Sequence, residues 1–131
     1  MKNHFTLLLV SLFFFASCGS ENNNDNSGEA SGIMERMNVA QFQEKLATTD
    51  NPQLIDVRTP EEYAQGTIHN AVNMNFHADG FETNLNTLDK SKPVFVFCQA
   101  GGRSLKSAKK MQALGFKEVY ELEVGYSGWE Q

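Results

Sequence analysis

The chain has 131 residues, of which 40% are hydrophobic and 21% charged, and its formal net charge is −5. The length allows one domain with a tail, and the composition excludes a repeat array, a collagen-like fibre and a protein with several membrane spans. The negative charge, with no run of Lys or Arg longer than two residues, argues against nucleic acid or an anionic membrane surface as a partner. Two cysteines are too few for a disulfide scaffold or a four-cysteine zinc site.

Residues 1–17 have the pattern of a secretory signal peptide. Lys2 precedes an apolar run over residues 7–16, which is shorter than the about 20 residues that span a bilayer as a helix. The run ends in small residues before Cys18 and resembles the lipobox of bacterial lipoproteins, although Phe15 stands where those proteins usually have Leu. The resemblance implies cleavage before Cys18, lipid on its sulfur and anchoring in the bacterial cell envelope, on the periplasmic side or at the cell surface. Ordinary signal cleavage is the alternative.

The segment after the predicted lipid-anchor cysteine is a predicted tether, which together with Cys18 covers residues 18–32. Residues 19–32 contain no apolar side chain larger than Ala, so burial cannot offset the entropy of ordering them. We therefore expect a disordered tether about 20 Å from end to end. A single domain is predicted over residues 33–131, a length sufficient for one hydrophobic core.

Strands and helices alternate along this predicted domain. The predicted helices are Val39–Ala47 after the N-cap Asn38, a short helix that starts at Pro60, one within Phe81–Leu88, and Arg103–Leu114 before Gly115. The predicted strands are Gln53–Val57, Ala71–Met74, Pro93–Cys98 and Val119–Leu122. This alternation indicates an α/β fold with a central parallel sheet flanked by helices.

The segment that points most clearly to chemistry joins the strand ending at Cys98 to the helix starting at Arg103. Ligands bind at the carboxyl ends of strands in open α/β sheets. Gly101 and Gly102 let the loop turn its amides toward one anion, and the helix N-terminus adds a positive potential. A thiol in this position is stabilised as the reactive thiolate. The alternative is a buried, inert cysteine.

This segment resembles the active loop of the rhodanese-like domain family. The family pattern Cys-x-x-Gly-x-Arg-Ser is matched by Cys98, Gly101, Arg103 and Ser104. A second block of the family is matched by residues 54–68 (LIDVRTPEEYAQGTI) and 70–74 (NAVNM), and its closing Gly-rich turn by 125–129 (GYSGW). Two departures are the sequence Thr-Ile-His-Asn at 67–70, where many members have His-Ile-Pro-Gly, and a loop without lysine.

The resemblance implies a single rhodanese-like domain that acts as a sulfurtransferase. In that reaction the Cys98 thiolate takes the outer sulfur of a donor such as thiosulfate, and the resulting persulfide passes it to cyanide, a thiol or a protein acceptor. Arg103 is the second predicted catalytic residue. The loop residues predicted to hold the sulfur's negative charge are Gln99, Ala100, Gly101, Gly102 and Ser104. The family chemistry calls for no cofactor or metal, and His69 and His77 stand apart without metal-ligand spacing.

Two residues of the second block are predicted to support the site. We expect Arg58 to pair with Glu62 and so to fix the turn after the strand Gln53–Val57. Asp56, at the carboxyl end of the same strand, is a candidate for setting the geometry of the active loop.

Three other functions stay open at the level of sequence. A cysteine-based phosphatase would place its Arg six positions after the nucleophile, whereas Arg103 follows Cys98 by five. A binding module without catalysis is the second possibility, although such members of the family typically lack the cysteine. A persulfide carrier that serves a dedicated protein partner is the third, and the sequence does not separate it from an enzyme that turns over free thiosulfate.

Overall fold

The computed structural model describes residues 32–129 of the chain. The predicted signal peptide, Cys18 and the tether up to residue 31 lie outside the described residues and stay predictions. Within residues 32–129, no helix has the length and apolar character needed to cross a membrane.

A parallel sheet forms the centre of the described domain. Its strands are β1 (Ile33–Met37), β2 (Gln53–Asp56), β3 (Val72–Asn73), β4 (Val94–Phe97) and β5 (Glu118–Leu122). They lie in the order β1-β5-β4-β2-β3, and every neighbouring pair is parallel. The predicted α/β fold with a central parallel sheet is confirmed, and the sheet gains the strand β1, which was not predicted.

The helices pack on both sides of the sheet. They are α1 (Val39–Thr48), α2 (Pro60–Ala64), α3 (Phe81–Leu85), α4 (Gly102–Ala113) and α5 (Gly125–Trp129). Capping boxes start α1 at Asn38 and α2 at Thr59, where each cap side chain accepts from the third helical amide. The first four helices occur where the sequence predicts them, with α3 ending earlier, whereas α5 replaces an expected Gly-rich turn.

Strand β4 is buried on both faces and divides the core into two layers. Val94 and Val96 pack with Met111 of α4 on one face, while Phe95 and Phe97 pack with the α1 face on the other. A continuous apolar run is therefore required in β4, since helices cover the sheet on both sides. This arrangement brings the carboxyl ends of β2, β4 and β5 to one edge of the sheet.

Candidate active site

Cys98 lies at the carboxyl end of β4, where the chain turns into the loop before α4. The residue is only 1% exposed, so the loop encloses the thiol. The Gly101 amide donates a hydrogen bond to Sγ at 3.1 Å, and Ser104 Oγ lies 3.3 Å from Sγ. The loop and the first turn of α4 therefore surround the sulfur with polar groups, as the Gly-Gly pattern predicts.

The turn at Gly101 gives the loop its tight shape. Gly101 has a φ of +93°, and a Cβ there would clash with the carbonyl oxygen of Glu123. Only glycine combines this conformation with so close a backbone approach. Gly102 and Ala100, by contrast, are exposed, and a Cβ on Gly102 would have no neighbour within 4 Å.

Helix α5 donates hydrogen bonds to the backbone of the active loop. The Tyr126 amide donates to the carbonyl of Cys98 at 2.8 Å, and the Ser127 amide and hydroxyl donate to the carbonyl of Gln99 at 3.1 and 2.6 Å. Gly125 permits this contact, because a Cβ there would lie 2.5 Å from the Gln99 carbonyl. The closing segment of the chain thus holds the loop backbone in place.

Two opposing effects set the pKa of the Cys98 thiol. Burial raises the pKa, because it penalises the thiolate. Hydrogen bonds with the Ser104 side chain and with the backbone of Ser104, Ala100 and Gly101 lower it and outweigh burial, so the pKa lies below its ordinary value. The loop is therefore suited to a nucleophilic thiolate.

Arg103 forms a bidentate ion pair with Glu62, with Nη1 and Nη2 at 2.7 and 2.8 Å from the carboxylate. The expected pairing of Arg58 with Glu62 is wrong. Glu62 is the capping-box residue of α2, where the Thr59 amide holds its carboxylate toward the start of α4. The hydrogen bonds from Arg103 lower the pKa of Glu62 to about 2, and the same pair raises the pKa of Arg103.

Arg58 instead binds the carboxylate two residues before it. The Nε and Nη2 groups of Arg58 donate to Asp56, both side chains are buried, and Thr67 adds a hydrogen bond to Asp56 at 2.9 Å. Arg58 Nη1 then donates to Gln99 Oε1 at 3.1 Å, and its guanidinium lies over the Tyr126 ring. Asp56 therefore reaches the active loop through Arg58, and this is a physical route for the predicted supporting role.

A third ion pair, which sequence reasoning missed, lies behind the loop. Glu121 of β5 is buried and pairs with Arg36 of β1 at 2.6 Å. Arg36 Nη2 also donates to the Gly101 carbonyl at 3.3 Å. A charged residue inside the apolar strand Val119–Leu122 is the one sequence signal that could have drawn attention to Glu121.

Other features of the described domain do not converge on Cys98. Within residues 32–129, no group of three or more His, Cys, Asp or Glu side chains is placed to hold a metal ion. An open groove of about 460 Å³ between α1, β2 and β3 contains none of the loop residues.

Comparison with known proteins gives the same family that the motif around Cys98 resembles. A family model described as a rhodanese-like domain matches residues 38–131. The chain is 39% identical over 85 residues to "Thiosulfate sulfurtransferase 16, chloroplastic" of Arabidopsis thaliana, covering 57% of this chain and 71% of that protein. It is 27% identical over 97 residues to a sulfurtransferase of Allochromatium vinosum, covering 74% and 89%. The crystal structure of a rhodanese-like domain protein from Staphylococcus aureus superposes with a TM-score of 0.64 at 31% identity, covering 73% of this chain and 91% of that one.

Proposed function

The chain belongs to the rhodanese-like domain family, and we propose that it is a sulfurtransferase that moves a sulfane sulfur from an anionic donor such as thiosulfate to a thiol or cyanide. The observation that carries the proposal is the position of Cys98 Sγ at the N-terminus of α4, with the Gly101 amide 3.1 Å away. The similarity to named sulfurtransferases supports the same class of reaction.

The reaction follows from the position of the thiolate. Sγ attacks the outer sulfur of thiosulfate, the new S–S bond forms, and sulfite leaves with the electron pair of the broken S–S bond. Cys98 then carries a persulfide whose negative charge lies on the outer sulfur. Attack on that sulfur by cyanide or a thiolate yields thiocyanate or a new persulfide and restores the Cys98 thiolate.

Each part of the loop has a separate task in this cycle. The amides of Ala100, Gly101 and Ser104 stabilise negative charge at the sulfur, as an oxyanion hole does for oxygen. Arg103 adds a positive charge near the loop for the approaching dianion. The six-residue ring from Cys98 to Arg103 and the enclosed thiol favour a small sulfur atom over a tetrahedral phosphate ester, which argues against the phosphatase alternative.

Intact-mass spectrometry tests the proposal on the full chain carrying Cys18→Ala, which leaves Cys98 as the sole thiol. Incubation with thiosulfate should add the mass of one sulfur atom, and a reductant should remove it. Cys98→Ser should abolish the adduct, because an alcohol in this loop does not ionise at neutral pH. No adduct with thiosulfate or with any persulfide donor would reject the sulfurtransferase and favour the binding module. Loading without turnover of thiosulfate and cyanide would instead indicate a carrier.

For the N-terminal segment we propose lipid attachment at Cys18, which would place the domain at the bacterial cell envelope. The support is the sequence pattern of residues 1–18 alone. In this arrangement the residues up to 32 would connect the lipid to strand β1.

A further inference from the structure

A buried carboxylate lies behind the active loop and has no place in the reaction described so far. Glu121 Oε1 accepts a hydrogen bond from Ser104 Oγ at 2.6 Å, and its Oε2 accepts one from Arg36 Nε at 2.6 Å. Ser104 Oγ in turn lies 3.3 Å from Cys98 Sγ. Glu121 and Ser104 are fully buried. A chain of hydrogen-bonding groups therefore runs from Arg36 to the reactive sulfur.

The Ser104 hydroxyl has one proton and two neighbours that compete for it. A carboxylate accepts an O–H bond strongly, and a distance of 2.6 Å is typical of such a charge-assisted bond. When Ser104 donates to Glu121, it turns lone pairs toward Sγ. A thiol can donate to these lone pairs, but a thiolate is repelled by them. The hydroxyl stabilises the Cys98 thiolate only to the extent that it donates to Sγ, and Glu121 competes for the same proton.

The persulfide responds differently, because its charge lies one sulfur further from Ser104. The inner Sγ of a persulfide is neutral, so a lone pair facing it costs little. We propose that Glu121 is a positioning residue that holds the Ser104 proton away from Cys98 and thereby favours negative charge on the outer sulfur of a persulfide over negative charge on Sγ. This inference rests on the proposed sulfur-transfer function and refines it: the site is built to retain a loaded sulfur.

Other charged groups also face the loop and bear on the same equilibrium. They are Arg36 from β1, Asp56 and Arg58 at the end of β2, Glu62 from α2 and Arg103 from α4. Arg36 pairs with Glu121, Arg58 with Asp56 and Arg103 with Glu62. Each of these carboxylates forms an ion pair with an arginine, so its negative charge at the loop is largely neutralised. Glu121 therefore acts on the Cys98 thiol mainly through the direction of the Ser104 hydrogen bond.

The variant Glu121→Gln reverses that direction. Arg36 can only donate, so the new amide must turn its oxygen to Arg36 and its NH₂ group to Ser104. Ser104 then accepts from the amide and donates its own proton to Sγ. The pKa of Cys98 should fall by about one unit, which below the pKa is about tenfold more thiolate. Because a thiolate of lower pKa is a weaker nucleophile, alkylation there should be about threefold faster. The better leaving group should also release a persulfide sulfur to a thiol faster.

The measurement is a titration of the thiolate by its ultraviolet absorbance, on the full chain carrying Cys18→Ala. Glu118→Gln is the matched control: it removes one charge from β5 at a position three residues away, on the opposite face of the sheet, and should leave the pKa of Cys98 unchanged. In a Ser104→Ala background, Glu121→Gln should shift the pKa much less, because the hydroxyl is gone. Ser104→Ala alone should raise the pKa by well under one unit, because the hydroxyl that it removes donates mainly to Glu121, and this prediction does not require the Glu121 variant to fold.

Three results of the titration would overturn the inference. They are an unchanged or higher pKa of Cys98 in Glu121→Gln, an equal shift in the Ser104→Ala background, and a rise of the pKa by one unit or more in Ser104→Ala alone. A Glu121→Gln persulfide that discharges no faster than wild type would overturn the preference for the loaded state. The titration needs no sulfur donor, so a wild-type protein that never forms a persulfide would reject the proposed function and leave the titration readable.

Discussion

Arg103, which we propose attracts the anionic sulfur donor, already has an anionic partner. Arg103 is held by both carboxylate oxygens of Glu62, so its charge is shared between this pair and the loop. We expect Arg103→Ala to lower kcat/KM for thiosulfate about tenfold to a hundredfold, the size of one lost charged hydrogen bond.

Glu62→Gln frees the Arg103 guanidinium and should lower KM for the dianionic donor. Steady-state kinetics measure both, and an unchanged kcat/KM in Arg103→Ala would show that Arg103 only supports the helix.

Asp56 shows how a single buried carboxylate can matter to both stability and the site. Asp56 is fully buried and accepts hydrogen bonds from the Arg58 amide, the Arg58 guanidinium and the Thr67 hydroxyl. Asp56→Asn leaves the Arg58 charge without its partner and should cost about 3–5 kcal/mol of unfolding free energy. Urea denaturation checks this, with the exposed Asp79→Asn as the matched control. A loss below about 1 kcal/mol would mean that Gln99 and the Gly66 carbonyl suffice for Arg58.

At the scale of the active loop, two adjacent glycines make opposite predictions. Gly101 has a positive φ and lies against the Glu123 carbonyl, so Gly101→Ala should destabilise the fold by at least about 1–3 kcal/mol. Gly102 is the first residue of α4 and has open space, so Gly102→Ala should be neutral or stabilising. Thermal or urea unfolding of the two variants compares them directly. Equal effects would contradict the assignment of the tight turn to Gly101.

Loop length gives a second prediction at this scale. Inserting one Gly between Gly101 and Gly102 should widen the ring, so that the amides no longer converge on Sγ and persulfide loading by thiosulfate slows. The same variant should gain affinity for larger oxyanions. Wild-type loading rates in the insertion variant would show that the six-residue ring does not set the chemistry.

Local sequence predicts most of the helices and strands, but it does not predict which of them lie side by side. The buried run in β4, the N-cap Asn38, Pro60 at the start of α2 and the glycine turn are local signals, and the structure has the corresponding elements. Strand β1 has a charged, mostly exposed pattern, so its local sequence does not predict a strand. It forms by pairing with β5, which lies far along the chain.

The contacts that the sequence does not predict have the same cause, because they depend on which elements lie side by side. Arg36 meets Glu121 because β1 lies beside β5 with these two residues in register, which depends on strand order. A short contiguous pattern predicts Cys98 and the loop glycines, whereas the expected Gly-rich turn at the end of the domain is the helix α5. Proximity along the chain predicts that Glu62 pairs with Arg58, whereas the start of α4 brings Arg103 to Glu62 from 41 residues away.

For the whole molecule, the Glu62–Arg103 pair predicts how stability responds to acid. The pKa of Glu62 is about 2 when folded and 4.5 ordinarily, so the folded state favours the ionised carboxylate. Its contribution to stability is fully present above about pH 4.5 and is lost as the pH falls toward 2. The difference in unfolding free energy between wild type and Glu62→Gln should therefore shrink from pH 6 to about pH 3. A difference that stays constant over this range would contradict the lowered pKa.

Attachment to a membrane would change the setting in which the described domain works. A single acyl chain binds only marginally, whereas the two or more chains of a lipoprotein-type anchor give stable attachment. If Cys18 carries such an anchor, the wild-type chain expressed in a bacterial host should sediment with membranes and partition into detergent. Cys18→Ala should block lipid attachment and signal processing at that site while Cys98 still loads with sulfur, because the loop contacts described above lie within residues 36–127. Cys98→Ser is the matched control, since it should stay membrane-bound. Soluble wild-type protein with an unmodified Cys18 would contradict the anchor.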